Sequence, residues 1–346
     1  MTMIFVTGGA GFIGANFVLN WLARGKEPVT TLDKLTYAGR IENLATVKDH
    51  PNHTFVQADI NDAATLGALL HRDRPRAIIH FAAETHVDRS IQSPAVFAET
   101  NVQGTFRLLE AARGYWITLS DADREAFRFI HISTDEVFGS LTATAPSFTE
   151  QSPYAPNSPY SASKAAADHF ARAYFQTYGF PTMIVRGSNT YGPRQYPEKL
   201  IPRTIARALQ EQHVPIYGNG SNIRDWLYVD DFCAAVTAAL AHGKPGESYN
   251  IGGMSERANI DIVTWILTRL DKLSPRKSGQ SYTALLTFVA NRAGHDFRYS
   301  VATYKSQYQL GWTPQTALPA GLAATIEWFL NHPEGLETDD EDEEWT

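Results

Sequence analysis

The 346-residue sequence predicts an α/β fold, with a doubly wound parallel sheet and a smaller, discontinuous C-terminal domain. Three observations support this prediction. Short apolar runs alternate with helical stretches in the first half, a glycine-rich turn joins the first strand to the first helix, and the alternation weakens after about residue 189. The length suits one large domain and a smaller one.

Six apolar runs predict buried parallel strands, and the stretches between them predict helices. The strands are predicted over residues 3–7, 29–33, 54–58, 77–82, 129–133 and 182–187. The helices are predicted over 12–24, 63–71, 100–112 and 159–178. The last helix has clear ends, because Ser158 can cap it, Pro159 suits its first turn and Gly179 follows it.

The change in pattern suggests where the domains divide. We predict a first domain over residues 1–188 and a second mainly over 189–346, with about 227–253 returning to the first. Within that return, the run 226–229 and the helix after it are expected to rejoin the sheet. The last residues, 337–346, are mostly acidic and are predicted to form a solvated, disordered tail.

Composition narrows the kind of protein. The net charge of -7 and a pI near 5.9 argue against nucleic acid as a partner. The single cysteine, Cys233, cannot form an internal disulfide and lies in an apolar run, so we expect a core residue rather than a nucleophile. No signal peptide or membrane span is visible, and the 11 histidines form no metal-binding pattern. We therefore expect a cytoplasmic protein without a metal.

Three glycines between the first strand and the first helix indicate a dinucleotide site. The positions of Gly8, Gly11 and Gly14 permit a tight turn and let the backbone approach a pyrophosphate at the helix N-terminus. Asp33 ends the second strand, where a carboxylate can bind the adenosine ribose and would repel a 2'-phosphate. This context predicts a Rossmann-type site that prefers NAD over NADP.

Two pairs of residues suggest the chemistry. Tyr160 and Lys164 lie four residues apart and share a helix face, where the ammonium is expected to lower the pKa of the phenol. The tyrosine can then take a hydroxyl proton while hydride leaves the same carbon. Asp135 and Glu136 follow the fifth strand and supply the acid and base that elimination of water needs. Two solvated loop acids are the alternative.

These motifs resemble those of a known family. Residues 7–14, Ser133 and residues 160–164 resemble the extended short-chain dehydrogenase/reductases. Thr134 with the two acids after it is similar to the catalytic triplet of one branch, the dTDP-glucose 4,6-dehydratases. Further similarity to that branch lies in residues 33–39, 82–90 and 224–229.

The resemblance implies conversion of dTDP-glucose to dTDP-4-keto-6-deoxyglucose, as in dTDP-L-rhamnose synthesis. It implies that Tyr160 takes the C4 hydroxyl proton as hydride passes to NAD. Glu136 then removes the C5 proton and Asp135 protonates the departing C6 hydroxyl, before hydride returns to C6. Thr134 would hydrogen-bond near the C4 oxygen, and Lys164 would also contact the nicotinamide ribose. Because NAD is regenerated in each turnover, we expect it to stay bound.

The resemblance also implies which residues contact the two ligands. The predicted cofactor contacts are Gly8, Gly11, Phe12, Ile13, Gly14, Asp33, Lys34, Leu35, Thr36, Asp59, Ile60, Phe81, Ala82, Ala83, Thr100, Ser133, Tyr160 and Lys164. For Asp59, a helix cap is the alternative. The predicted substrate contacts are Thr85, His86, Thr134, Asn189, Lys199, Leu200, Pro215, Ile216, Tyr217, Arg224, Asn259, Asn291 and His295.

Arg224 is the expected diphosphate ligand, because guanidinium suits bidentate phosphate binding. The chain departs from the family pattern Asp-Arg-Pro-Gly-His at Asn291 and Ala293, and it has Thr85 where serine is usual.

Competing hypotheses remain from the sequence alone. A 4-epimerase or another nucleotide-sugar dehydratase would use the same scaffold, although an epimerase has no use for Asp135 and Glu136. A non-catalytic NAD-binding sensor would not need the tyrosine, the lysine and both acids together. By resemblance, the helices predicted over 100–112 and 159–178 pair across a twofold axis in a homodimer.

Overall fold

Seven parallel strands form the central sheet in a computed structural model that describes residues 3–337. The strands of these residues are β1 (Ile4–Thr7), β2 (Val29–Asp33), β3 (His53–Gln57), β4 (Ala77–His80), β5 (Arg128–Thr134), β6 (Thr182–Gly187), β7 (Asn189–Tyr191), β8 (Val214–Tyr217), β9 (Ile223–Tyr228), β10 (Ser248–Ile251), β11 (Glu256–Ala258) and β12 (Leu286–Val289). The central sheet has the order β10-β6-β5-β4-β1-β2-β3. Two smaller sheets have the orders β11-β9-β7 and β12-β8.

Helices connect the strands and cover the sheet. In the described residues they are α1 (Phe12–Ala23), α2 (Ala63–Asp73), α3 (Val87–Gln92), α4 (Pro94–Phe97), α5 (Thr105–Trp116), α6 (Asp121–Ala126), α7 (Pro159–Tyr178), α8 (Leu200–Leu209), α9 (Val229–His242), α10 (Asn259–Leu273), α11 (Tyr304–Leu310) and α12 (Leu318–Asn331). A π-helical turn, Ala98–Gly104, leads into α5. Shorter 3₁₀ turns span Ile41–Val47, Asp135–Phe138, Tyr282–Leu285 and Pro333–Leu336.

Burial on both faces explains the apolar runs of the central strands. Helices α1 and α9 pack together over one face, and α2, α5 and α7 pack over the other. Every residue of β1, β2, β4 and β6 is buried. A parallel sheet covered on both sides needs side chains that tolerate burial in both directions. A separate core joins α8, α10 and α12 with β8 and β9.

The predicted doubly wound parallel sheet is confirmed, and the ends of some elements differ. The six predicted strands are present, but the fourth ends at His80 rather than residue 82, because the chain leaves the sheet there. The helix predicted over 100–112 is divided, so Thr100 lies in the π-helical turn before α5. Helix α7 has its predicted ends: Ser158 Oγ accepts from Ser161 N (3.1 Å), and Gly179 is left-handed with φ of +64°.

The expectation that the run 226–229 rejoins the central sheet is wrong. Strand β9 pairs with β7 and β11 instead, because its alternating side chains face both cores, with Trp226 in the second and Leu227 in the first. The strand that extends the central sheet is β10, which lies parallel to β6 and places Tyr249 and Ile251 in the first core. Helix α9, between β9 and β10, packs against α1. Apart from Glu337, the predicted acidic tail lies outside the described residues.

A buried ion pair fixes α7 to the sheet. Arg186 of β6 donates from Nε to Asp168 Oδ2 (2.9 Å), and both side chains are almost fully buried. The Tyr154 hydroxyl donates to the same oxygen (2.8 Å), and His131 Nε2 of β5 lies 3.3 Å from Asp168 Oδ1. Although burial alone would raise it, the Arg186 charge holds the pKa of Asp168 well below its usual value.

We predict that Asp168→Asn lowers the free energy of unfolding by about 3–5 kcal/mol, since it leaves the Arg186 charge buried without a counter-ion. Urea unfolding of the purified protein measures the change. The matched control is Asp121→Asn, which breaks an ion pair with Arg124 at a carboxylate that is 93% exposed and should have little effect. Equal effects of the two substitutions would show that the buried pair does not stabilise α7.

Candidate active site

A cavity of about 310 Å³ opens at the carboxyl ends of the central strands, which is where doubly wound sheets bind ligands. Its walls come from the β1–α1 turn, the segments that follow β2, β3, β4 and β5, the first turns of α7, and residues 187–199. The cavity therefore brings together parts of the chain that are far apart in the sequence.

The glycines of the β1–α1 turn have different structural reasons. A Cβ on Gly8 would lie 2.4 Å from Ala82 N, and φ is +72° there. A Cβ on Gly14 would lie 2.2 Å from the Gly8 carbonyl oxygen. At Gly11, the nearest atom to such a Cβ is that same oxygen at 3.4 Å, so the protein would tolerate the methyl group. Since Gly11 lines the cavity, its missing side chain leaves room for a ligand.

The same turn offers unpaired donors to an anion. Gly11 is the N-cap of α1, no side chain caps this end, and its first turn contains no acidic residue. The first N–H groups of α1 therefore point out of a helix end that carries a partial positive charge. A cradle of glycines at such a helix end fits the pyrophosphate of a dinucleotide.

Asp33 is held in place by the backbone beside this turn. Its Oδ2 accepts from Ala10 N and its Oδ1 from Leu35 N, each at 2.9 Å. Burial raises the pKa of Asp33, and these hydrogen bonds oppose the rise. Next to it, Lys34 Nζ pairs with Asp59 Oδ2 at 2.7 Å. The alternative for Asp59 is wrong, because α2 is capped by Asp62.

Almost all of the predicted cofactor residues line the cavity. Leu35 is the exception: its backbone is left-handed, with φ of +58°. The predicted cofactor residues that line the cavity are Gly8, Gly11, Phe12, Ile13, Gly14, Asp33, Lys34, Thr36, Asp59, Ile60, Phe81, Ala82, Ala83, Thr100, Ser133, Tyr160 and Lys164.

Tyr160 and Lys164 lie buried in the first turns of α7. Lys164 Nζ donates to the Ile132 carbonyl oxygen (2.8 Å), and burial lowers the pKa of Lys164 to about 8. Burial, together with the charge of Glu136, raises the pKa of Tyr160 well above its usual value, although a hydrogen bond with Thr134 opposes this. The prediction that Lys164 lowers the pKa of Tyr160 is therefore wrong for this structure, where desolvation of the phenolate dominates.

The two acids after β5 lie in different electrostatic surroundings. Thr134 Oγ1 accepts from Glu136 N (3.2 Å) and donates to Asp135 Oδ1 (3.3 Å). Burial raises the pKa of Asp135 well above its usual value, and the charges of Glu136 and Asp225 raise it further. Burial also raises the pKa of Glu136, but Arg292, Arg224 and Lys199 oppose that rise. Asp135 is 1% exposed, so the alternative of two solvated loop acids is wrong.

The predicted substrate residues divide into two groups. Those that line the cavity are Thr85, Thr134, Asn189 and Lys199. Those that lie outside its lining are His86, Leu200, Pro215, Ile216, Tyr217, Arg224, Asn259, Asn291 and His295.

Part of the second group, together with Arg292, forms a cluster at the end of β8. We call it the Tyr217 cluster; its members are Tyr217, Asn291, Arg292 and His295. The rings of Tyr217 and His295 lie 5.7 Å apart, and the Arg292 guanidinium is 5.9 Å from the Tyr217 ring. Asn291 Oδ1 lies 2.7 Å from His295 Nδ1 and accepts from Arg292 N (3.0 Å). Burial and the nearby arginines lower the pKa of His295 to about 3. The ring is therefore neutral at physiological pH, and Asn291 is an uncharged partner for it.

The Arg224 guanidinium makes more contacts within the protein than we expected for a diphosphate ligand. It donates to the backbone carbonyl oxygens of Ile223 (2.8 Å) and Asp296 (2.9 Å), and it lies 4.4 Å from the Tyr299 ring. Its charge still acts on Asp135 and Glu136. Arg224 therefore lies close enough to the two acids and to His295 for its charge to act on their pKa values.

Sequence reasoning missed two charged residues of the site. Arg292 lies inside the segment 291–295, which departs from the family pattern at two other positions. Its charge opposes the raised pKa of Glu136 more than any other group does. Glu198 lines the cavity and accepts from the Tyr37 hydroxyl at 3.3 Å. Its position directly before Lys199 was the only available signal, because no motif marks it.

Residues 3–337 contain no group of three or more His, Cys, Asp or Glu side chains placed to hold a metal ion. Across the same residues, no helix combines the length and the apolar character needed to cross a membrane. Cys233, as expected, is a buried residue of α9.

Comparison with known proteins agrees with this geometry. The family model described as GDP-mannose 4,6 dehydratase matches residues 5–325. A dTDP-glucose 4,6-dehydratase of Xanthomonas campestris pv. campestris is 50% identical over 96% of this chain and 94% of its own length. The crystal structure of DesIV, a dTDP-glucose 4,6-dehydratase from Streptomyces venezuelae with NAD bound, aligns with a TM-score of 0.87 and 44% identity, covering 97% of this chain and all of that chain.

A solved epimerase shares the fold at lower identity. The UDP-glucose 4-epimerase of Thermotoga maritima aligns with a TM-score of 0.83 and 28% identity, over 96% of this chain and 99% of its own. The glycine turn, the Tyr160/Lys164 helix and a family match over nearly the whole length agree. The chain therefore belongs to the GDP-mannose 4,6 dehydratase family, within the extended short-chain dehydrogenase/reductases.

Proposed function

We propose that this protein is an NAD-dependent dTDP-glucose 4,6-dehydratase, which forms dTDP-4-keto-6-deoxyglucose and water. The observation that carries the proposal is the pair of acids beside Tyr160. Burial raises the pKa of both, but three cations oppose the rise at Glu136, whereas at Asp135 two carboxylates add to it and outweigh the one cation, Arg224. Groups with such divided surroundings suit a proton donor and a proton acceptor. The dTDP-glucose 4,6-dehydratases at about half identity support the same substrate.

The residues of the cavity fit NAD. The glycine cradle at the start of α1 suits its pyrophosphate, and Asp33 suits the adenosine ribose. The NAD bound to the similar DesIV supports this assignment. When bound, NAD supplies the acceptor for the C4 hydride and the donor of the same hydride at C6.

Tyr160 is proposed to take the proton of the C4 hydroxyl as a phenolate, the form that burial disfavours and that the hydrogen bond with Thr134 favours. Its hydrogen bond with Thr134 places the phenol beside the end of β5, where Thr134 Oγ1 can also reach the C4 oxygen. The Lys164 ammonium lies one turn further along α7 and supplies positive charge at the same wall of the cavity. Loss of the C4 hydrogen as hydride leaves a ketone, which makes the neighbouring C5 proton acidic.

The two acids would then complete the elimination. Glu136, which three cations favour in its charged form, removes the C5 proton. Asp135, which burial and two neighbouring carboxylates favour in its neutral form, donates a proton to the C6 hydroxyl as it leaves. The C5–C6 double bond then receives hydride at C6 and a proton at C5, so one water is lost and no net oxidation occurs.

The second part of the chain is proposed to hold the nucleotide. We assign residues 1–188, with about 227–253, to the NAD domain and 189–346 mainly to the substrate domain. Asn189 and Lys199 line the cavity, and Arg292, whose charge acts on Glu136, lies 5.9 Å from the Tyr217 ring. An ammonium and a guanidinium at this end suit a diphosphate, and the Tyr217 ring suits a base.

We also propose a homodimer in the cytoplasm. Phe106 of α5 and Phe170 of α7 are 37% and 36% exposed, and their rings lie 5.7 Å apart. Large apolar side chains exposed together commonly mark an interface. The chain's single cysteine, Cys233, is unpaired, as is usual in a reducing compartment.

The cofactor assignment predicts the effect of one methyl group. Gly11→Ala should leave the thermal unfolding of the protein without ligand nearly unchanged, since the new Cβ meets no protein atom closer than 3.4 Å. It should lower the affinity for NAD about tenfold or more, because the methyl group enters the cavity. Calorimetric titration with NAD measures this. Gly67→Ala, where a Cβ meets nothing within 4 Å, is the control; a Gly11→Ala variant that binds NAD like it would contradict the assignment.

The proposed reaction is tested with dTDP-glucose in D₂O, without added NAD, by mass spectrometry of the sugar nucleotide. The unaltered protein should remove one water. Glu136→Gln should lower the rate about 10²–10⁴-fold and incorporate no deuterium at C5, because the base is missing. Asp135→Asn should also slow the loss of water from the substrate. Recovered substrate should nevertheless contain deuterium at C5, because the base is present and only the acid is missing.

A control and two contrary outcomes make this test decisive. Glu125→Gln, an exposed acid of α6, should behave like the unaltered protein. A change of configuration without loss of water would favour a 4-epimerase. Deuterium exchange that persists in Glu136→Gln and disappears in Asp135→Asn would reverse the two roles.

The pKa shifts predict the direction of a pH effect. Activity needs Glu136 ionised, so a raised pKa moves the acid limb of kcat/KM to a pH above the usual range of a glutamate. It also needs Asp135 protonated, so activity falls as pH rises through its raised pKa. Arg292→Gln removes a charge that lowers the pKa of Glu136 and should move the acid limb to higher pH. Arg124→Gln, in exposed α6, should not move it; an unmoved limb in Arg292→Gln would contradict the assignment.

A further inference from the structure

A strap of the chain, residues 193–199, crosses the cavity between β7 and α8. Four of its side chains line the cavity: Gln195, Tyr196, Glu198 and Lys199. The segment after β2, residues 34–39, and the glycine cradle line the same cavity. The strap therefore borders the same cavity as the proposed cofactor residues.

The first end of the strap is fixed to helix α1. Asn16 Nδ2 donates to the Pro193 carbonyl oxygen (2.9 Å), and Arg194 Nη1 donates to Asn16 Oδ1 (3.2 Å). Arg194 also lies over the Trp328 ring at 5.4 Å. This end thus joins the first core to α12 of the second core and is anchored independently of the cavity.

The middle of the strap packs on the segment after β2. The rings of Tyr196 and Tyr37 meet edge to face at 5.3 Å, and the Arg40 guanidinium lies 4.7 Å from the Tyr196 ring. On its other side, the Tyr37 ring is covered by the Arg89 guanidinium at 3.9 Å. Tyr37 is therefore held between the strap and the α3 region.

Glu198 joins these segments through one buried carboxylate. Its Oε1 accepts from the Tyr37 hydroxyl (3.3 Å) and lies 3.1 Å from Lys199 Nζ, which also donates to the Thr85 carbonyl oxygen (2.8 Å). The Glu198 side chain is 8% exposed. Within residues 3–337, no hydrogen-bond donor reaches its Oε2, although His86 Nε2 lies 3.7 Å away.

A carboxylate is costly to bury unless its contacts hold a required geometry. The contacts of Glu198 connect the segment after β2, the segment after β4 and the strap, and all three border the cavity. A ligand enclosed by these segments leaves only when they separate. Separation would break the Glu198–Tyr37 contact and would expose the buried Tyr196 ring and the half-buried Tyr37 ring.

We propose that Glu198 is a positioning residue that, through Tyr37, holds the strap closed over the dinucleotide and slows its release. This inference rests on the proposed NAD cofactor and explains how it is retained between turnovers. Glu198 takes no part in proton or hydride transfer. Its effect falls on the rate at which NAD leaves.

The test is exchange of bound NAD for isotopically labelled NAD in the full-length protein, followed by mass spectrometry of the retained dinucleotide. Tyr37→Phe removes only the hydroxyl and should increase the exchange rate about tenfold, as expected for the loss of a hydrogen bond to a carboxylate. Glu198→Gln keeps the shape and should also increase it. Tyr308→Phe, at a residue that is 91% exposed, is the control and should have no effect.

The double variant separates a latch from a general loosening of the fold. If Tyr37 and Glu198 act through one contact, Tyr37→Phe with Glu198→Gln should exchange NAD no faster than the quicker single variant. Multiplied effects, or exchange unchanged in both single variants, would overturn the latch while leaving the dehydratase proposal in place. Purified protein that neither contains nor binds NAD would overturn both.

Discussion

The ion pair between Asp168 and Arg186 is the contact on which the site depends. Asp168 lies four residues after Lys164 and eight after Tyr160, so one face of α7 carries all three. Because Arg186 belongs to β6 and His131 to β5, the pair sets both the height and the rotation of α7 over the sheet. A small rotation of the helix would move the tyrosine away from Thr134 and the lysine away from the Ile132 carbonyl.

Burial then determines what these side chains can do. It raises the pKa of Tyr160, Asp135 and Glu136 and lowers that of Lys164, so it disfavours charge throughout the cavity wall. The nearby cations relieve this effect at Glu136, whereas Asp135 faces further carboxylates. The low-dielectric surroundings thus raise the pKa of both adjacent acids, but that of Asp135 further, and the cations that limit the rise at Glu136 belong to the second part of the chain.

Local signals explain what could be predicted from the sequence. The caps of α7 and the turn at Gly8 are short-range features, and the buried strands follow from side-chain pattern alone. The edge position of β10 was not predictable in this way, because β9 and β10 are both short and mix polar with apolar residues. Only packing distinguishes them, with Trp226 in the second core and Tyr249 in the first. The pKa of Tyr160 also depends on desolvation, which spacing along a helix does not reveal.

Glu198 illustrates a limit of a different kind. Its partner Tyr37 is 161 residues away in the chain, and no motif connects them. Thr85, which accepts from the neighbouring Lys199, is 114 residues from that lysine. These contacts form only because the segments after β2 and β4 lie side by side and the strap, residues 193–199, packs against both. A reaction that returns its hydride to the substrate regenerates the dinucleotide in the site, so the dinucleotide does not have to be exchanged between turnovers. A cavity whose walls are joined across this crossing suits such a cycle better than an open groove, in which the cofactor would exchange with solvent after each turnover.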